Sequence, residues 1–197
     1  MQADTGLSAI SGIVTIIVAT TLVSDTFTGT DGTNLTAHTA DVNQGTGWIA
    51  NTGTITLLSN QAHCTSGFPY YSIDAGQASV TLTADITLSG TAACGLSGRV
   101  SDALNTWDID ISTSAGTMTL TIYEQVAGVF TARAQVSFPD PGGPYGLKAV
   151  FSGTNVIAAV GNNETSYGSA TSNQTITKHG INLGPGWSAD NFKITNP

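Results

Sequence analysis

Between Ala78 and Val136 apolar and polar residues alternate with a period of two in the best-defined stretches. Val80, Leu82, Ala84, Ile86 and Leu88 take one side, and Thr81, Thr83, Asp85 and Thr87 take the other. Successive side chains of an extended chain face opposite ways, so this pattern makes one buried and one wet face of a strand. The spacing predicts that Val80 to Leu88 is a central strand with its even-numbered residues buried. Ser89-Gly90 closes it, and Cys94 to Val100 and then Trp107-Asp108-Ile109-Asp110-Ile111 follow. Ser114-Ala115-Gly116 turns the chain into Met118 to Tyr123, and Ala127-Gly128 turns it into Val129 to Val136. Consecutive strands separated by turn residues predict an antiparallel all-β sandwich or barrel.

The flanks extend the same reading. Trp48-Ile49 and Thr54 to Leu58 predict a hairpin about Asn51-Thr52-Gly53, with a loop over 60–67. Phe68 to Ile73 reads as a strand near an edge, because Pro69 cannot donate to a ladder. Tyr145 to Phe151 and Val156 to Val160 form a hairpin about Ser152-Gly153-Thr154-Asn155, and 161–173 reads as loop. Ile176 to Leu183 and Asn191 to Thr195 supply the last strands, around the turn Gly184-Pro185-Gly186. No segment of useful length has a helical period, and there is no repeat or interdomain linker.

The first 21 residues differ in character. Ile13-Val14-Thr15-Ile16-Ile17-Val18 is β-branched throughout, which favours a strand. A secretory leader needs a basic n-region, and the only charged side chain here is Asp4. A membrane span is disfavoured by Ser8, Ser11, Gly12, Thr15, Thr20 and Thr21. Covering Ile10, Ile13, Val14, Ile16, Ile17, Val18 and Leu22 is worth about 10–20 kcal/mol. The segment is therefore either a strand of its own sandwich or an arm that adds to a neighbour's sheet.

Charge narrows the function. Five Lys and Arg stand against 13 Asp and Glu, for a net charge of −8, and charged residues make up only 9% of the chain. Phosphate neutralisation needs clustered cations, so nucleic-acid binding through a basic patch is excluded. A neutral, Thr-rich surface suits close packing against copies or partners, or equally a secreted β-protein. Cys64 and Cys94 permit one disulfide or two buried thiols, and their spacing fits no zinc site.

Several pieces in order resemble concanavalin A-like, laminin-G-like jelly rolls. They are Asp25-Thr26-Phe27, the turn Asp31-Gly32-Thr33-Asn34-Leu35, Trp48, Gly95-Leu96-Ser97-Gly98-Arg99, and Asn105-Thr106-Trp107. Leu147-Lys148-Ala149-Val150, Gly153-Thr154-Asn155-Val156-Ile157 and Asp190-Asn191-Phe192 complete the series. The resemblance covers about 22 to 197 and implies a two-sheet jelly-roll domain at 22–197 behind an apolar β arm at 1–21. It also implies calcium as the usual ion, with Asp25, Asp31 and Asp190 as its ligands here. Such domains serve as sugar-binding modules, glycosidases, and structural or adhesive domains that include phage virion proteins.

The laminarinase-like branch carries a Glu-x-Asp-x-x-Glu strand, and this chain, with only Glu124 and Glu164, has none. Asp108 and Asp110 share a strand face, at a separation that would suit a carboxylate pair, but read as a solvated face. His38, His63 and His179 fall in loop or edge settings with no Ser-His-Asp context, so no catalytic residue is assigned. A sugar site would need exposed aromatics, for which Tyr70, Tyr71, Trp107, Tyr123 and Tyr145 are candidates, although Trp107 shares parity with Ile109 and Ile111. The leading expectation is a non-enzymatic virion structural protein, a head decoration, tail or fibre component. It would be a homo-oligomer assembling with copies of itself and other virion proteins through Ile10, Ile13, Val14, Ile16, Ile17 and Val18. The alternative is a secreted or cell-surface carbohydrate-binding module with a glycan partner.

Overall fold

The computed structural model describes residues 19–90 and 92–197. Their strands are β1 (Thr21–Asp25), β2 (Ile49–Thr52), β3 (Thr56–Leu58), β4 (Gln61–His63), β5 (Tyr70–Asp74), β6 (Val80–Thr87), β7 (Cys94–Asp102) and β8 (Asn105–Ser114). They continue as β9 (Thr117–Val126), β10 (Val129–Pro139), β11 (Tyr145–Ser152), β12 (Asn155–Val160), β13 (Asn163–Tyr167), β14 (Lys178–Asn182) and β15 (Ser188–Thr195). One antiparallel sheet runs β13-β12-β11-β6-β15-β4-β3, with β1 also on β15; the other runs β10-β9-β8-β7-β14-β5-β2. Among the described residues no helix is long and apolar enough to cross a membrane.

The alternation in β6 is realised. Val80, Leu82, Ala84 and Ile86 are buried, and β6 lies between β11 and β15 in the middle of its sheet. Across the sandwich β8 turns Trp107, Ile109 and Ile111 inward, and β9 does the same with Met118, Leu120 and Ile122. The hairpins at Ala115-Gly116 and Ala127-Gly128 have positive φ at both central residues, the primed turn geometry that follows strand twist. The β11–β12 hairpin also forms as expected, from Leu147↔Val160 to Ser152↔Asn155.

Four expectations are corrected. β6 does not pair with β7: the two strands lie in opposite sheets, so the meander is β7 to β10 alone. β2 and β3 lie in opposite sheets, and the hairpin is instead β3–β4, turned by Ser59 and Asn60 at φ 53° and 58°. β5 is one strand in from the edge, between β14 and β2, since Pro69 sits just ahead of the ladder. β13 emerges from the expected polar loop because pairing with β12 covers its backbone despite its polar side chains.

β1 begins at Thr21, and its ladder with β15 starts from Thr21↔Thr195. The candidate assembly residues Ile10, Ile13, Val14, Ile16, Ile17 and Val18 lie outside the described residues. Cys64 and Cys94 are both buried and unbridged.

Candidate functional site

Because β8 points Trp107, Ile109 and Ile111 into the core, Thr106, Asp108 and Asp110 stand on the outer face of its sheet. The registers bring other polar groups beside them. Ser97 and Gly95 lie opposite Asp108 and Asp110, and Asn182 lies opposite both Gly95 and Tyr70. On the other flank Tyr123 lies opposite Asp108, and Phe130 opposite Gln125. A cleft of about 460 Å³ opens here, lined by Phe68, Tyr70, Asp110, Tyr123, Gln125 and Phe130. This is within the range of small-ligand pockets.

Its floor is polar and its walls aromatic. Asp108 is fully buried and accepts from Ser97 Oγ at 2.8 Å, Tyr70 OH at 3.1 Å and Thr106 Oγ1 at 3.4 Å. Asp110 accepts from Asn182 Nδ2 at 3.0 Å, while Asn182 Oδ1 takes the Gly95 N–H. The pair is therefore no solvated face, because neighbouring strands and Tyr70 enclose it. Burial pushes both carboxyls above the ordinary range, and the charge of Asp108 pushes Asp110 further up. Burial and the two carboxylates also push the Tyr70 hydroxyl up, so it remains a donor. Gln125 is buried, and its side-chain carbonyl has no hydrogen-bond partner. Phe130 meets Tyr123 edge to face, with centroids 6.1 Å apart, and Phe68 and Phe130 are 58% and 47% exposed.

The residues read from sequence are scattered differently. Of the aromatic candidates Tyr70 and Tyr123 reach the cleft. Trp107 is core and donates Nε1–H to Ser172 O at 3.2 Å. Tyr71 is core too, and Tyr145 is buried with its hydroxyl on Asp140 at 3.0 Å, so neither offers a ring face to a sugar. The calcium candidates serve the fold. Asp25 takes N–H groups from Phe27 at 2.7 Å, Trp48 Nε1 at 2.7 Å and His38 Nε2 at 2.9 Å, which engages both of its oxygens. Asp31 accepts from Ser59 N and Asp190 from Asn191 N. Among the described residues no group of three or more His, Cys, Asp or Glu could hold a metal ion.

The resemblance pieces do meet: Phe27, Trp48 and Phe192 stack in sequence at 5.9 and 5.2 Å beside Asp25. They form a packing node, remote in sequence from the cleft. His179 is on inner strand β14, fully buried, rather than at an edge. Phe68, Gln125, Phe130 and Asn182 carried no sequence signal beyond strand parity, since register alone gathers them.

No family model matches the chain, and neither does any curated protein sequence. Among solved structures it is similar to the carbohydrate binding module CBM66 from Bacillus subtilis, with a TM-score of 0.58 and 17% identity over 77% of this chain and 96% of that one. The fold is a jelly roll of the concanavalin A-like kind. It is also similar to the GH43 BlXynB protein from Bacillus licheniformis, at TM-score 0.51 and 12% identity over 72% of this chain. That match spans 34% of BlXynB.

Proposed function

We propose that this protein is a non-enzymatic carbohydrate-binding module and that the cleft over β8 and β9 is its saccharide site. The observation that carries the reading is the pairing of aromatic walls with a buried polar floor: Phe130 and Phe68 stand exposed above Asp110, Gln125 and Tyr70. Sugar rings combine an apolar face with radial hydroxyls, so such a cleft can stack the one and bond the other. Likeness in fold to a carbohydrate binding module supports it. The virion role expected from the N-terminal segment has no comparable support, and the secreted or cell-surface setting goes with the saccharide reading. Binding is favoured over hydrolysis because Asp108 is enclosed by three hydroxyl donors rather than facing the cleft, whereas glycoside cleavage needs both carboxyls against the scissile bond.

A glycan array followed by titration calorimetry tests the reading. Phe130→Ala should weaken any bound saccharide by about tenfold, the size of a lost aromatic stack, without lowering the melting temperature, since Phe130 is half exposed. Absence of binding to every glycan, or binding indifferent to Phe130→Ala and Asp110→Asn, overturns it.

A further inference from the structure

We propose that the cleft selects a saccharide carrying a protonated amine, a de-N-acetylated amino sugar, and seats the ammonium between Asp110 and the rings of Tyr123 and Phe130. The inference rests on the saccharide reading and deepens it.

Three observations carry it. First, Asp108 and Asp110 are buried side by side with no cation of the protein to balance them. Among the described residues the ion pairs are His38 with Asp25 and Arg133 with Glu124, both elsewhere. None of the residues lining the cleft is Lys, Arg or His. Buried carboxylates left without a counter-charge are costly to hold, and a ligand cation that supplies it recovers part of that cost. Second, acceptors in the floor of the cleft stand open. Asp110 keeps an oxygen beyond the one bonded to Asn182, and the Gln125 carbonyl has no donor. Of the neighbouring donors, Tyr70 OH and Asn182 Nδ2 are already spent on the two aspartates. An ammonium offers three donors and no acceptor, which suits these open acceptors. Third, the walls are aromatic, and a ring face attracts a cation within about 6 Å. The raised carboxyls agree with this arrangement: burial and mutual charge keep protons in a pair that has no positive partner.

The test is calorimetric titration of the full chain with β-1,4-linked glucosamine oligomers, their N-acetylated counterparts, a neutral glucan oligomer and a simple alkylamine. The glucosamine oligomer should bind at least about tenfold more tightly than its acetylated form. Asp110→Asn should remove that preference. The acetylation contrast is read on the wild-type protein, so it stands even if the variant does not fold. Equal affinity for acetylated, neutral and amino oligomers overturns the amine preference and leaves the saccharide site intact. Tight binding of the alkylamine with no difference between it and the amino sugar, and no binding of neutral oligomers, overturns the saccharide reading itself. No binding of any probe overturns both.

Discussion

His179 gives the sharpest quantitative handle on this fold. It sits on β14 with no exposed surface, its ring 5.9 Å from that of Phe151. Nδ1 accepts the Arg99 backbone N–H at 3.2 Å, which leaves Nε2 to donate to Gln77 O at 2.9 Å. Protonation at Nδ1 would set a new N–H against an existing donor, in a fully buried site. Burial and then the nearby Arg99 charge depress the imidazole to about 4, opposed by the Gln77 carbonyl and by Asp74. The group is neutral in the fold and ordinary in the unfolded chain. Its contribution is therefore fully present above the unfolded pKa, and is lost as pH falls from about 6.5 towards 4. With a shift from 6.5 to about 4, the loss between pH 8 and pH 5 is about 2 kcal/mol, approaching about 3 kcal/mol below pH 4. Asp110 works in the opposite sense, since its raised carboxyl favours the fold as pH falls. Urea unfolding of wild type and His179→Gln at pH 8 and pH 5 separates the two. Gln keeps an N–H for Gln77 O and does not titrate, so the variant is weaker at pH 8 but should lose about 2 kcal/mol less on acidification. If both proteins lose the same amount, His179 is not held neutral by the fold and the reasoning fails.

Asp110→Asn should raise the urea midpoint at pH 8, because it removes one of two uncompensated buried carboxyls. A raised carboxyl costs most above its folded pKa, so the gain should shrink towards pH 4; a gain that is constant with pH refutes the cause. Leu82→Ala, at the buried centre of β6, should cost about 2–5 kcal/mol in the same assay, with exposed Leu104→Ala as the near-neutral control. Deleting residues 1–18 leaves β1 and its ladder with β15 in place. The truncated chain should keep its melting temperature within a few degrees, and a cooperative loss of structure would make that segment part of this sandwich.

What the sequence determined is local. Period two along Val80 to Ile86 decides which side chains are buried, because a strand has only two faces. Parity along Trp107 to Ile111 likewise puts Trp107 in the core and Asp108 with Asp110 together on the far side. The glycines after Ala115 and Ala127 fix two hairpins by their φ. What the sequence could not decide is which sheet a strand joins and what stands across from it. Nothing local sends β6 and β7 to opposite sheets, or parts β2 from β3, since both choices satisfy the same alternation. The cleft is such a product: Phe68, Asp110 and Phe130 come from three strands or strand ends, joined only by registers. Even the character of the Asp108 face was a tertiary outcome. A carboxylate on the polar side of a strand is normally wet; neighbouring strands bury this one, and burial raises its pKa against the lowering effect of its hydrogen bonds to Ser97, Tyr70 and Asn182.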